Sequence, residues 1–417
     1  MMENKIIPSQ EQHIQDAASN KSDFVKINNN IYAIIQPNKI LYIKKEKLDN
    51  FKDYFIPKIK KSENKALSIT FVPTLDCNLN CIYCYSKGGD SKLYMSSILA
   101  KKFLKKMYNP KKHNAIYLRF AGGGEPFLNF SCIKEITQTA KEILDNMTIH
   151  CITNGTFNEE QMSWILKNKP QMRISYDGLE FQKTQRPFKD GRDSSDLIRN
   201  NIKELIKNKI EVITQSTITS LNINCLNEII KENYNLGVKT IKMEPVYITE
   251  NSRGNNKLNV SPEEFVSNFL NALRFIKENK LDIQIDTAYF SRPTLGHYCS
   301  MATGNIILTP TGEISSCVEI TNNCDLHSNE VFYGKFNKES EEIRFDNHKK
   351  DSFKKLHFSN FTKCLSCNLK LICRGGCPLR RIWNQNEHTC QISKKLIPKI
   401  LKLFYEDPLY TKILIRK

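Results

Sequence analysis

Residues 67–84 read LSITFVPTLDCNLNCIYC, an apolar run that opens directly onto three cysteines, and residues 115–126 read AIYLRFAGGGEP, a second run that opens onto three glycines and an acid. Their β-branched and aromatic content, and the turn residues that stop them, mark both as strands with chemistry at their carboxyl ends. The pattern repeats along the chain. Strand-like runs stand at 67–74, 115–122, 148–154, 171–178, 210–219 and 240–248, and helix-like runs at about 95–108, 129–146, 158–168, 194–208, 225–236 and 261–280. Six strands that alternate with helices specify parallel pairing through right-handed crossovers, which predicts an α/β fold, a partial (β/α)6 barrel. Ligands of such folds gather beyond the carboxyl ends of the strands.

Outside this core the signals change. Residues 1–25 are polar and aperiodic and read as a disordered tail. Residues 26–65 hold short strand-like runs broken by NNN and PNK, then a helix-like segment near 47–61, and read as a small N-terminal β/α appendage. The core spans 66–285, a cysteine-dense region 286–395, and an apolar, Lys-rich helical tail 396–417.

Composition narrows the function classes. With 417 residues and 40% hydrophobic content the chain can bury a sizeable core, which excludes disorder and a small disulfide scaffold. No stretch approaches the roughly 20 apolar residues of a membrane span, and the first residues lack an apolar signal core, so a cytoplasmic location without membrane partners is expected. Sixty-two Lys and Arg against forty-four Asp and Glu give +18. The lysines lie in short scattered clusters among many Asn and read as solvated faces, so nucleic acid is not an expected partner.

Fourteen Cys are unevenly placed: six fall in residues 1–298 and eight in 299–390. In a reducing compartment such density indicates metal rather than disulfides. Cys77, Cys81 and Cys84 follow the first barrel strand with C-x3-C-x2-C spacing. Zinc would need a fourth protein ligand, whereas a [4Fe–4S] cluster held by three Cys leaves one iron for an outside ligand. The glycines of GGGEP permit positive φ and close backbone approach, and no GK[ST] follows that would make a phosphate cradle.

The three-Cys motif, with aromatic Tyr83 before its last Cys and GGGEP one βα unit later, resembles the radical S-adenosylmethionine (SAM) superfamily. The resemblance implies a cluster on Cys77, Cys81 and Cys84 whose open iron binds SAM, and reductive cleavage of SAM to a 5′-deoxyadenosyl radical. It also implies SAM contacts from Gly123, Gly124 and Glu125, and, at later strand ends, from Asn154, Ser175 and Arg186. A guanidinium fork at Arg186 suits the SAM carboxylate.

The later cysteines, Cys299-x12-Gly312-x4-Cys317 and Cys364-x2-Cys367-x5-Cys373-x3-Cys377-x12-Cys390, resemble the SPASM domain. Five residues between Cys367 and Cys373 are too few for a zinc ribbon. The resemblance implies two auxiliary [4Fe–4S] clusters, one on Cys299, Cys317 and Cys377, the other on Cys364, Cys367, Cys373 and Cys390. Sulfatase maturases of this family complete the first cluster with a Cys where this chain has Pro293. An open iron is favoured there, with Cys324 or His297 as alternative ligands. Those maturases also carry an Asp directly after the second motif Cys, where this chain has Val318 followed by Glu319. Cys132, Cys151 and Cys225 read as packing residues.

Three clusters and SAM imply an oxidoreductase fed by a donor such as flavodoxin or ferredoxin. SPASM members mostly modify peptides, so the expected function is maturation of a ribosomally made precursor peptide through Cys thioether cross-links, as sactipeptide and ranthipeptide maturases do. The alternatives are a sulfatase-maturase-like oxidase of a single Cys or Ser side chain and a non-enzymatic zinc module. The 26–65 appendage resembles part of a leader-peptide-binding module.

Overall fold

The computed structural model describes residues 23–48 and 66–414. These form two compact units, neither of them one continuous stretch: the first comprises 66–286 and 304–351, the second 23–48, 287–303 and 352–414.

The second unit opens with β1 (Asp23–Lys26), β2 (Ile31–Gln36) and β3 (Lys39–Lys44), an antiparallel sheet in that order. β1 starts inside the stretch read as tail. The turn at Asn28 forms because its Oδ1 accepts hydrogen bonds from the N–H groups of Asn30 and Ile31, both at 2.9 Å, an Asx turn that competes with strand pairing. Of the helix expected near 47–61, residues 49–61 lie outside the described residues, as do 1–22 of the tail. The sheet docks on the helix Glu387–Glu406, where Tyr42 donates to the Leu401 carbonyl at 2.8 Å and meets the Tyr405 ring at 5.2 Å between centroids. That helix begins nine residues before the tail drawn at 396, and so carries Cys390.

The first unit is built on one eleven-stranded sheet. Its parallel strands are β4 (Ala66–Phe71), β5 (Ala115–Phe120), β6 (Met147–Thr153), β7 (Gln171–Ser175), β8 (Val212–Ile218), β9 (Thr240–Pro245) and β10 (Gln284–Asp286). They lie side by side in chain order. Strand order that never reverses, joined by right-handed crossovers, keeps every helix on one face, as a partial barrel requires. The crossover helices are α1 (Ser97–Met107), α2 (Phe130–Ile143), α3 (Glu159–Asn168), α4 (Leu179–Gln185), α5 (Ser195–Lys207), α6 (Leu226–Asn235) and α7 (Pro262–Glu278). Each of the six expected strands and six expected helices is present. β10 adds a seventh parallel strand, and α4 an extra turn of helix.

Alternation along the strands sorts the two faces. Ile116, Leu118 and Phe120 of β5 are fully buried, whereas Tyr117 between them is 40% exposed. Beyond β4 the sheet continues into the sequence assigned to the cysteine-rich region: β11 (Ile307–Leu308) pairs parallel to β4, followed by antiparallel β12 (Glu313–Ser315), β13 (Phe332–Asn337) and β14 (Glu342–Phe345). Ile307 anchors this extension in a buried apolar cluster with Val72, Leu75 and the flanking Val318.

Candidate active site

The loop after β4 carries the three cysteines and is fixed from below by Asp76. Its carboxylate accepts from the Cys77 N–H at 2.8 Å, from Lys92 Nζ at 2.6 Å and from the Tyr94 hydroxyl at 2.6 Å. Burial works against this charge, but the three hydrogen bonds outweigh it and hold the carboxyl below its ordinary range. The loop is zipped to the glycine turn by two backbone bonds, Gly124 N–H to Thr74 O at 3.0 Å and Glu125 N–H to Asp76 O at 2.7 Å. A side chain at Gly124 would put Cβ 1.8 Å from the Asp76 carbonyl, which explains why glycine stands there. Gly123 has φ +66° and takes a hydrogen bond from Ser86 Oγ on its carbonyl.

Each of the three sulfurs receives an N–H from a different element. Asn154 Nδ2 lies 3.9 Å from Cys77 Sγ, Arg186 Nη1 lies 3.8 Å from Cys81 Sγ, and the Gly88 N–H lies 3.2 Å from Cys84 Sγ. Two of these donors, Asn154 and Arg186, are residues the sequence proposed as SAM contacts. Burial, first of all causes, pushes the Cys77 thiol up to about 12 and the Cys81 thiol up to about 11. A thiolate in such surroundings requires a metal's charge, and N–H···S donors are the contacts that tune a cluster-bound sulfur. Among the described residues no three His, Cys, Asp or Glu side chains converge on a point that one metal ion could occupy. A closed zinc site takes four protein ligands, whereas a [4Fe–4S] cluster takes three thiolates and an outside ligand, so the C-x3-C-x2-C donor set suits an iron–sulfur cluster.

Glu125 and Arg186 are each held by bonds to neighbouring elements. The Glu125 carboxylate is 3% exposed and turned inward: Oε1 accepts from Thr153 Oγ1 at 2.7 Å and the Phe127 N–H at 3.1 Å, and Oε2 accepts from the Asn154 N–H at 2.6 Å. It therefore braces the end of β5 against the end of β6. Burial pushes it up to about 7 in spite of those donors. Arg186 donates from Nε to Asp177 Oδ2 at 3.0 Å and from Nη2 to Thr217 Oγ1 at 3.2 Å, and its guanidinium lies 5.0 Å from the centre of the Tyr83 ring. Burial opposes its charge, but Asp177, Tyr83 and Cys81 raise its pKa above the ordinary arginine value. Ser175 ends β7 beside Gln215 in register.

Asp76, which holds the Cys77 N–H, has no motif signal of its own in the sequence, and Asp177 stands there only as part of the strand-end stretch Ser175-Tyr176-Asp177-Gly178; position is the signal for both, since each adjoins a motif residue. Tyr85 was missed as well. Over a third of its surface is exposed, yet its hydroxyl is shifted upward, first by burial and then by the charges of Glu319, Cys84, Cys317 and Asp325. Cys317 and Glu319 thus lie near the three-cysteine loop.

In the second unit, Cys364, Cys367, Cys373 and Cys390 line one cavity of about 420 Å3, together with Arg381 and Lys370. Arg381 Nη2 lies 3.1 Å from Cys364 Sγ, and Lys370 is buried against Asp23 of β1. Of the remaining expected ligands, Cys299 and Cys377 belong to the second unit and Cys317 to the first. Cys324 is exposed, and the His297 ring packs against His357 at 4.8 Å between centroids. Cys132 and Cys151 are each 1% exposed, while Cys225 is half-buried.

Residues 71–232, which run from the end of β4 into α6, match the Radical SAM superfamily. An uncharacterized protein of Methanocaldococcus jannaschii is 32% identical over 171 residues, 40% of this chain and 58% of that protein. The sporulation killing factor maturation protein SkfB of Bacillus subtilis is 23% identical over 220 residues, 52% of each chain. The chain thus spans about half the length of the curated relatives it matches. Among solved structures, anSMEcpe with bound AdoMet and the Cp18Cys peptide has a TM-score of 0.67 at 20% identity, covering 82% of this chain and 98% of that one. SuiB of Streptococcus suis bound to precursor peptide SuiA has a TM-score of 0.56 at 12% identity, covering 87% and 96%. These two establish the shared fold. No helix among the described residues is long and apolar enough to cross a membrane.

Proposed function

We propose that this chain is a radical SAM/SPASM oxidoreductase that matures a ribosomally made precursor peptide by forming Cys thioether cross-links. The observation that carries the reading is the pair of cysteine sites: three loop cysteines, each with its own N–H donor, and a separate cavity lined by four cysteines at SPASM spacing. SkfB, a maturation protein, supports a peptide substrate.

On this reading Cys77, Cys81 and Cys84 hold the initiating cluster, and Cys364, Cys367, Cys373 and Cys390 hold an auxiliary one. Cys299, Cys317 and Cys377 are assigned to a third. SAM supplies the radical when it is bound and reduced by a donor such as flavodoxin or ferredoxin. The inward turn of the Glu125 carboxylate leaves the main chain of Gly123 and Gly124 as the part of that motif offered to the SAM amine. Arg186, aligned by Asp177, keeps further N–H donors for a carboxylate. Tyr83 fills the space beneath the guanidinium and keeps water from it. Partway along the chain, β3 forms the edge of its sheet with half-buried Ile40, Leu41, Tyr42 and Ile43, and we assign a leader peptide to that edge as an added strand.

Anaerobic co-expression with a Cys-bearing precursor peptide tests the reading. A thioether lowers the intact mass of the peptide by two hydrogens and removes a thiol from alkylation. The second reading, oxidation of a single Cys or Ser to formylglycine, draws on Glu319 near Tyr85. It predicts instead a carbonyl that hydrazines trap, with no loss of other thiols.

A further inference from the structure

We propose that Arg381, bonded to Cys364, is a positioning residue that raises the reduction potential of the cluster assigned to Cys364, Cys367, Cys373 and Cys390; this rests on the cluster reading above. Thiolates around a [4Fe–4S] core leave a net negative charge, and reduction adds one electron more. The potential therefore depends on which positive charges and N–H donors face the sulfurs. Among the residues that line this cavity, Lys363, Lys370, Arg381 and Lys394 are cationic and Glu387 is acidic. They do not count equally. Lys363, Lys394 and Glu387 are exposed, so water and salt screen their charges. Lys370 is buried, but its ammonium is paired with the Asp23 carboxylate of β1. Arg381 is half-buried, and among the described residues no carboxylate pairs with it.

What Arg381 touches instead is a carbonyl, an aromatic face and a sulfur. It stands on the short helix Pro378–Ile382 and donates from Nε to the Gly375 carbonyl at 2.6 Å, a bond that Nη2 shares. Its guanidinium carbon lies 4.0 Å from the centre of the Phe361 ring. These two contacts hold the planar fork in place, and Nη2 then reaches Cys364 Sγ at 3.1 Å. A fixed cation that also donates a hydrogen bond stabilises the more negative state of its acceptor, which here is the reduced cluster.

The three-cysteine loop is built the other way. Its one charged donor, Arg186, stands 3.8 Å from Cys81 Sγ and is balanced by Asp177 at 3.0 Å. Asn154, 3.9 Å from Cys77 Sγ, is neutral. A cluster that cleaves SAM must be strongly reducing, and a balanced guanidinium at greater distance does not work against that. An unpaired guanidinium on the sulfur of Cys364 makes the other site the better electron acceptor.

EPR-monitored redox titration of the full, anaerobically reconstituted chain tests this. The relevant signal is the one that Cys364→Ser removes. Arg381→Gln is expected to move its reduction equilibrium roughly tenfold towards the oxidised form, about 59 mV for one electron. Arg381→Lys, which keeps the charge, should move it less than half as far, and the signals that survive in Cys364→Ser should not move. In the unmutated chain, arginine labelled with nitrogen-15 should give the same signal a weak nitrogen coupling in pulsed EPR. An unmoved midpoint in Arg381→Gln at parental iron content, an equal shift in Arg381→Lys, or the absence of nitrogen coupling would overturn the proposal. Should Arg381→Gln fail to take up iron, the coupling in the unmutated chain decides alone. A Cys364-dependent signal that ignores Arg381 refutes the role of this side chain only, whereas the lack of any Cys364-dependent signal refutes the cluster reading beneath it.

Discussion

Arg186 and Asp177 form a buried ion pair, Nε to Oδ2 at 3.0 Å, and the same carboxylate also accepts from Tyr83, from Gln185 Nε2 at 2.9 Å and from the Thr217 N–H at 2.9 Å. Asp177 is fully buried. One side chain therefore ties the last turn of the cysteine loop, the end of β7 and the end of β8 around the guanidinium. Asp177→Asn keeps the shape but leaves Arg186 buried beside a neutral amide. A loss of about 3 to 5 kcal/mol is expected, the usual cost of breaking a buried pair from one side. Urea unfolding curves measure it, and a loss below about 1 kcal/mol would mean that the pair is not what organises this corner.

Glu125 makes stability pH-dependent. Its folded pKa, near 7, lies above the ordinary 4.5, so it favours the fold most while protonated. Its contribution is complete below about pH 4.5 and declines as pH rises through about 7, since the unfolded chain ionises first. The shift corresponds to about 3 kcal/mol at most. Glu125→Gln should remove that slope from a plot of unfolding free energy against pH. A variant whose slope matches the parent between pH 4.5 and 7 would show that three donors suffice to keep the carboxylate charged.

The barrel was legible in the sequence because its signal is repetitive: strands of five to seven residues alternate with helices of seven to seventeen, and a helix expected at about 95–108 forms at Ser97–Met107. What escaped the sequence was short or inward. Gln284–Asp286 and Ile307–Leu308 are too brief to show a period, yet they extend both edges of the sheet because neighbouring strands supply their hydrogen bonds. The cysteine spacings revealed which sulfurs matter but not what orients them. Asp76 and Asp177 look like any strand-end aspartate until the chain folds, and the bonds that Glu125 accepts from Thr153, Phe127 and Asn154 have no signature in the sequence.

The glycine turn gives a paired prediction. A methyl at Gly124 would sit 1.8 Å from the Asp76 carbonyl, whereas at Gly191, which has positive φ (+83°), nothing lies within 4 Å. Gly191→Ala should therefore cost only backbone strain, about 1 kcal/mol. Gly124→Ala must separate the turn from the cysteine loop, and should lose roughly four irons per chain after reconstitution if that loop holds a [4Fe–4S] cluster. Equal iron in both variants would show that the loop does not depend on this close approach.

The two cysteine sites should separate functionally. Cys77 lies in the loop whose sulfurs meet Asn154, Arg186 and Gly88, so Cys77→Ala should abolish SAM cleavage altogether. Cys364 lies in the other unit, half-buried and bonded to Arg381, and Cys364→Ser preserves its size and its hydrogen bond. That variant should lose iron absorption and cross-linked product while retaining uncoupled SAM cleavage after dithionite reduction. Cys317→Ala should behave in the same way, because Cys317 belongs to the proposed auxiliary set and not to the three loop cysteines proposed to hold the initiating cluster. Cross-linked peptide at parental yield from Cys364→Ser or Cys317→Ala would remove the auxiliary sites from the reaction and leave the three-cysteine loop to act alone.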